Sequence, residues 1–180
     1  MTRADHDAGL SASDHSSGPQ TARVTLLEYG DYECPFCQKA QPEVQRLLDS
    51  HHGQLRLVFR HYPLVEQHPH AEDAAEAAEA AAAQGRFWDM HALLFAQKHG
   101  LNPEALAGYA QSLGLDMRRF HNELADHVYL QRIHEHRALA QQMQVRAVPA
   151  FFVNGRAVDT GAGFAAVQQA VEQALKHQTS

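Results

Sequence analysis

Cys34-Pro35-Phe36-Cys37 holds the only two cysteines of a 180-residue chain. Two cysteines placed at random in a chain this long would fall three apart about once in ninety. The pair follows an apolar run, Val24 to Tyr29, and opens a segment that reads as helix from Pro35. A proline fits there, because an N–H missing from the first helical turn would have had no partner. A strand running into Cys-x-x-Cys and then into a helix puts one thiol at a helix N-terminus. Orphan N–H groups and the helix dipole favour a thiolate at that place. The second thiol lies one turn further in, within reach of the first. This order of elements points to thiol–disulfide exchange.

Periodicity, breakers and turn residues order the rest of the chain. Residues 1–21, rich in Ser, Asp, Gly and His, read as a flexible arm. Val24 to Tyr29 and Leu55 to Arg60 read as strands, with a helix from Pro35 to about Ser50 between them. Pro42 should kink that helix. Ala71 to Ala83 is helical on propensity alone, and its surface is expected to be a dimer face or plain solvent face. Phe87, Met90, His91, Leu94 and Phe95 recur at helical spacing. Asn102-Pro103 starts another helix, through Leu113, and Asp116 a longer one to about Met143. Ala150 to Val153 is strand-like, and Asn154-Gly155 is a strong hairpin signal that predicts a return strand at Arg156 to Val158. A helix from Gly163 to about His177 closes the chain, with Phe164, Val167, Val171 and Leu175 toward the sheet. Phe87, Trp88, Phe95 and Phe120 are expected in the core rather than in a substrate groove.

Composition excludes several function classes. The formal net charge of −6 offers no basic face for nucleic acid or an anionic membrane. No stretch approaches the ~20 apolar residues of a membrane span. Met1 to Gln20 contains no apolar segment of the kind a signal peptide needs, so a cytoplasmic location is expected. In that compartment a cysteine pair is catalytic or metal-binding more often than a permanent cross-link.

The chain resembles the thioredoxin superfamily, and within it the DsbA-like branch. Four features carry the resemblance, which runs from about Val24 to about Leu175. Cys-x-x-Cys follows the first core strand, Glu28 lies six residues before Cys34, Pro42 five after Cys37, and Pro149 precedes a hairpin and a terminal helix. The wording is similar to DsbA-like domains of Cys-Pro-Phe-Cys type, some stand-alone and some fused to Na+/H+ antiporters. Arg60-His61-Tyr62-Pro63-Leu64, His68-Pro69-His70-Ala71, Gly85-Arg86-Phe87-Trp88 and Phe152-Val153-Asn154-Gly155 look like phrases of that group. The resemblance implies a thioredoxin fold, residues 22–64 and 144–180, with an inserted all-helical domain, residues 65–143. It also implies an oxidoreductase without a cofactor beyond the Cys34–Cys37 redox pair.

Roles follow from the resemblance and from thiol chemistry. Cys34 attacks a substrate disulfide and Cys37 resolves the mixed disulfide. Glu28 corresponds to the superfamily's buried acid, a proton relay for Cys37. Pro149 corresponds to its cis-proline, which leaves the backbone of Val148 free to pair with substrate. Pro35 and Phe36 border the thiols. DsbA-type oxidants commonly carry Pro-His at these positions, and Phe36 provides no side-chain hydrogen bond to Cys34, so a less oxidising disulfide is expected. Protein disulfides or small thiols are the expected substrates, recycled by a cellular reductant or oxidant. In a reducing cytoplasm the net direction is reduction or isomerisation; the oligomeric state is not legible.

Three rivals remain at this level. The helical block could grip client peptides in a chaperone-like manner while the cysteines sense oxidation. Glutathione-linked peroxide or cadmium defence would keep the enzyme class. Cys34 and Cys37 with two of His61, His68, His70 and His91 could form a tetrahedral metal set. No histidine pair here has zinc-finger spacing, so a resident metal is not expected.

Overall fold

The computed structural model describes residues 9–177, which fall into two compact units. The first comprises residues 9–29, 39–60 and 149–177; the second, residues 30–38 and 61–148. The expected split put the cysteine turn with the strands, but the turn groups with the helical unit. Side chains explain this. Asp31 accepts the backbone N–H of Leu64 at 2.8 Å, and Glu33 accepts that of His70 at 2.7 Å, which ties residues 30–38 to the segment after the second predicted strand.

Apart from the end residues Gly30 and His61, the first unit contains β1 (His15–Ser17), β2 (Val24–Gly30), β3 (Leu55–His61), β4 (Ala150–Val153) and β5 (Arg156–Val158), which form one sheet in the order β1-β3-β2-β4-β5. Every residue of β2 is buried, as befits a central strand covered on both faces. β4 runs antiparallel to β2, with Glu28 opposite Phe151. Asn154 and Gly155 form the two-residue turn to β5, both at positive φ (49° and 77°), as this hairpin type requires. The Asn154 side chain also accepts the N–H of Thr25 at 2.9 Å, which fixes the turn to β2. Helix α1 (Pro35–Ser50) continues through Pro42, and α7 (Ala165–His177) buries Val167 and Val171.

Residues 9–21 depart from the expected arm; residues 1–8 lie outside the described residues. His15–Ser17 pairs antiparallel with Leu57–Phe59 as the edge strand β1. Gly18 follows at φ +99°, where a Cβ would sit 2.6 Å from the Leu55 carbonyl oxygen. Arg60 explains the docking. Its buried guanidinium holds both carboxylate oxygens of Asp14 (2.8 and 2.7 Å), the Tyr29 hydroxyl (2.9 Å) and the Gly9 carbonyl (2.6 Å). Hydrophobic patterning could not show this strand, because a buried ion pair anchors it. Asp14→Ala strands that cation, so a loss of about 3 to 5 kcal/mol in urea unfolding is expected. The double replacement Asp14→Leu with Arg60→Met should recover most of it; a loss below about 1 kcal/mol for Asp14→Ala would contradict the anchor.

The second unit is helical: α2 (Ala71–Ala82), α3 (Phe87–Ala96), α4 (Pro103–Ser112), α5 (Met117–Ala125) and α6 (Leu130–Gln142). The expected dimer or solvent face of α2 is instead core. Seven of its alanines are at most 2% exposed, and the other four helices all pack on it. Its alanines let neighbouring helices approach closely, while the buried Glu76 and Glu79 pair with His127 and His61. The long helix expected from Asp116 is two helices, broken at Asp126–Tyr129 with His127 at φ 49°. The break turns Val128 to solvent, while Phe120 and Ile133 remain buried. Phe87, Phe95 and Phe120 are core as expected, and Trp88 is half-buried.

Candidate active site

The cysteine turn is built before the helix begins. The Asp31 side chain accepts the N–H of Glu33 at 2.7 Å, and its carbonyl accepts the N–H of Cys34 at 3.2 Å. The Cys34 carbonyl then accepts from Gln38 at 3.0 Å, the first helical bond of α1. Cys34 therefore occupies the N-terminal boundary of a 16-residue helix. Both cysteines are free thiols, Cys37 fully buried and Cys34 4% exposed. Pro35 and Phe36 between them face outward, Phe36 being 69% exposed.

Cys34 ionises far more readily than an ordinary thiol. The Cys37 thiol donates a hydrogen bond to its sulfur, and the backbone N–H groups of Cys37 and Phe36 add two more. These outweigh burial and the Asp31 charge, and the thiol is lowered to about 6. The helix start supplies the two amides, so the effect follows from the sequence position of the pair. The Val148 carbonyl lies 3.8 Å from the Cys34 sulfur. The residue before Pro149 thus meets the Cys34 sulfur through its backbone carbonyl.

Glu28, in the first unit, is wholly buried. Burial pushes its carboxyl up to about 8, against the hydrogen bond that Gln41 donates at 2.9 Å. Its second oxygen, Oε2, has no hydrogen-bond partner. The other tempting side chains are engaged elsewhere. His61 meets Glu79 at 2.8 Å, and Glu79 also pairs with Arg132. His91 meets the Tyr32 hydroxyl at 3.0 Å, and His68 the Asp31 carboxylate at 2.8 Å. Among the described residues, neither cysteine belongs to a group of three His, Cys, Asp or Glu side chains close enough to share one ion. The Cys2His2 set is thus not assembled.

Sequence reasoning missed Asp31, which organises the turn. It lies just past the Val24 to Tyr29 run that reads as a strand. The signal lay in its position three residues before Cys34, where an acid can hold a turn through its own backbone and side chain.

The sequence matches the thioredoxin family over residues 11–173. An Na+/H+ antiporter of Salinispora arenicola is 50% identical over 143 residues. That match takes in 79% of this chain and 22% of the antiporter, so the chain spans about a fifth of such relatives. A thioredoxin-like oxidoreductase from Silicibacter pomeroyi DSS-3 superposes with a TM-score of 0.82 at 28% identity, covering 98% of this chain and 99% of that one. A thiol-disulfide exchange protein from Wolbachia pipientis, alpha-DsbA2, shares the fold at a TM-score of 0.78 and 18% identity, covering 94% and 90%.

Proposed function

The chain belongs to the thioredoxin family and has the DsbA-like architecture of a thiol–disulfide oxidoreductase, and from that premise we propose that Cys34 is its attacking thiol and Cys37 its resolving thiol. The observation that supports this most is the Cys34 thiol, ionised from about pH 6 at a helix N-terminus with Cys37 hydrogen-bonded to it.

The Cys34 thiolate attacks one sulfur of a substrate disulfide; a Cys34–substrate bond forms, and the other substrate sulfur leaves as a thiolate that takes a proton. Cys37 then loses its proton and attacks the Cys34 sulfur. The mixed disulfide breaks, the second substrate thiol leaves, and the internal Cys34–Cys37 disulfide remains. Substrate is reduced by two electrons and the pair is oxidised by two. The reverse sequence oxidises a substrate dithiol. Glu28, titrating near 8, is suited to take and return the Cys37 proton at neutral pH. Pro149, held cis in this reading, leaves the Val148 backbone to pair with an extended substrate, and the exposed Phe36 meets its apolar side chains. Protein disulfides and small thiols are the substrates, and a cellular thiol reductant in a reducing cytoplasm restores the dithiol.

The pH dependence of alkylation tests the assignment. The Cys34 rate with iodoacetamide should rise through a midpoint near pH 6. In Cys37→Ala, which removes the largest hydrogen bond, the rate at pH 6 should fall about tenfold. A wild-type midpoint at the ~8.5 of a free thiol would sink the assignment.

A further inference from the structure

Asp31 has a carboxylate with no exposed surface, and three donors converge on it. The N–H of Glu33 binds one oxygen; the N–H of Leu64 and the Nδ1 of His68 bind the other, each at 2.8 Å. Its carbonyl receives the N–H of Cys34. A fixed negative charge this close to a thiol opposes thiolate formation, and the Asp31 charge does act in that direction on Cys34. His68 brings the compensating charge. Burial disfavours its imidazolium, but the bond to Asp31 and the charges of Asp31, Cys34 and Glu33 outweigh this and raise its pKa. The Glu33 carboxylate is held by the His70 N–H, and Tyr32 bonds to the ring of His91.

We propose that Asp31 and His68 form a charge pair that positions the cysteine turn and sets the pH range over which Cys34 reacts. The proposal rests on Cys34 being the nucleophile. His68 is here a positioning residue: the position between Cys34 and Cys37 that carries a histidine in strong oxidants carries Phe36 in this chain, and a cation arrives instead from the loop before α2. Attraction between two charges acts equally on both. His68 therefore favours the Cys34 thiolate as much as the thiolate favours the imidazolium, and without that cation Asp31 opposes ionisation unbalanced.

Two measurements on the full chain test this. His68→Asn keeps a side-chain donor for Asp31 and removes the charge. Its Cys34 alkylation rate at pH 6 should be about threefold below wild type, the two rates should converge at high pH, and its glutathione equilibrium should move about threefold toward the disulfide. His68→Lys, which restores a cation, should recover most of both shifts. The second measurement needs no substitution. The His68 midpoint, followed by NMR, should fall when Cys34–Cys37 is oxidised, because the thiolate it faces is gone. Identical Cys34 profiles in wild type and His68→Asn, or a His68 midpoint that ignores the redox state, would overturn the charge pair and leave Cys34 as nucleophile. A wild-type Cys34 that stays protonated up to about pH 8 would overturn both readings.

Discussion

Cys34→Ser is expected to lower disulfide turnover at pH 7 by at least about 10³-fold, the loss typical of removing a covalent nucleophile. A serine hydroxyl is not ionised at any accessible pH, so no arrangement of amides can replace the thiolate. Cys37→Ser should behave differently. Its hydroxyl can still donate to the Cys34 sulfur, which keeps the attacking thiol reactive, but it cannot resolve the intermediate. With a disulfide-containing peptide, that variant should accumulate one Cys34-linked adduct per chain, countable by intact mass. The pair of outcomes separates enzyme from binding module: a chaperone-like grip would survive Cys34→Ser, and the adduct would not form. Turnover within about tenfold of wild type in Cys34→Ser would contradict the assignment.

The second large effect concerns stability. Glu28 is neutral in the folded protein until about pH 8, whereas an unfolded glutamate ionises from about 4.5. Between those values the unfolded state releases a proton that the folded state keeps. Glu28 therefore makes folding progressively less favourable as pH rises from about 4.5 to about 8, with no further change above. At 1.36 kcal/mol per pH unit the full cost is roughly 3 to 5 kcal/mol. Glu28→Gln preserves an oxygen that can accept from Gln41 and has no proton to lose. The difference in unfolding free energy between variant and wild type should be small at pH 5 and should reach several kcal/mol in favour of the variant at pH 8. Differencing removes the contributions of histidines and other acids common to both chains. A difference that does not change between pH 5 and 8 would mean that Glu28 ionises normally. On the proposed relay, the same variant should also resolve mixed disulfides more slowly than wild type. A buried acid that weakens the fold at neutral pH is the pattern expected where function, rather than packing, sets the residue.

Most of the architecture was legible because its signals are local. The cysteine pair after an apolar run, the Asn-Gly turn with both φ angles positive, and the alanine-rich helix each follow from a few adjacent residues. What escaped depends on partners distant in sequence. β1 carries no alternation, and its place is fixed by Asp14 reaching Arg60, 46 residues away. The Ala71–Ala82 helix was legible as helix, but not as the centre of the helical unit, because alanine is equally at home on a surface. The break at Asp126–Tyr129 lacks a proline or glycine, so no local breaker marked it. At the cysteine turn, the thiol pair could be named from its spacing. Asp31 could not, since its importance lies in bonds to Leu64 and His68 across more than thirty residues.

Equilibration of the purified chain across a graded glutathione redox buffer, with Cys34 and Cys37 thiols counted by alkylation and mass, addresses the central claim most directly. A single reversible two-electron transition is predicted, in which both thiols disappear together. Its midpoint should lie between the ~−270 mV of thioredoxin and the ~−120 mV of the strongest DsbA-type oxidant, because a Cys34 ionising near pH 6 is less stabilised than the ~3.5 of that oxidant. Two thiols that remain alkylatable across the whole range, with no internal disulfide at any ratio, would contradict the account.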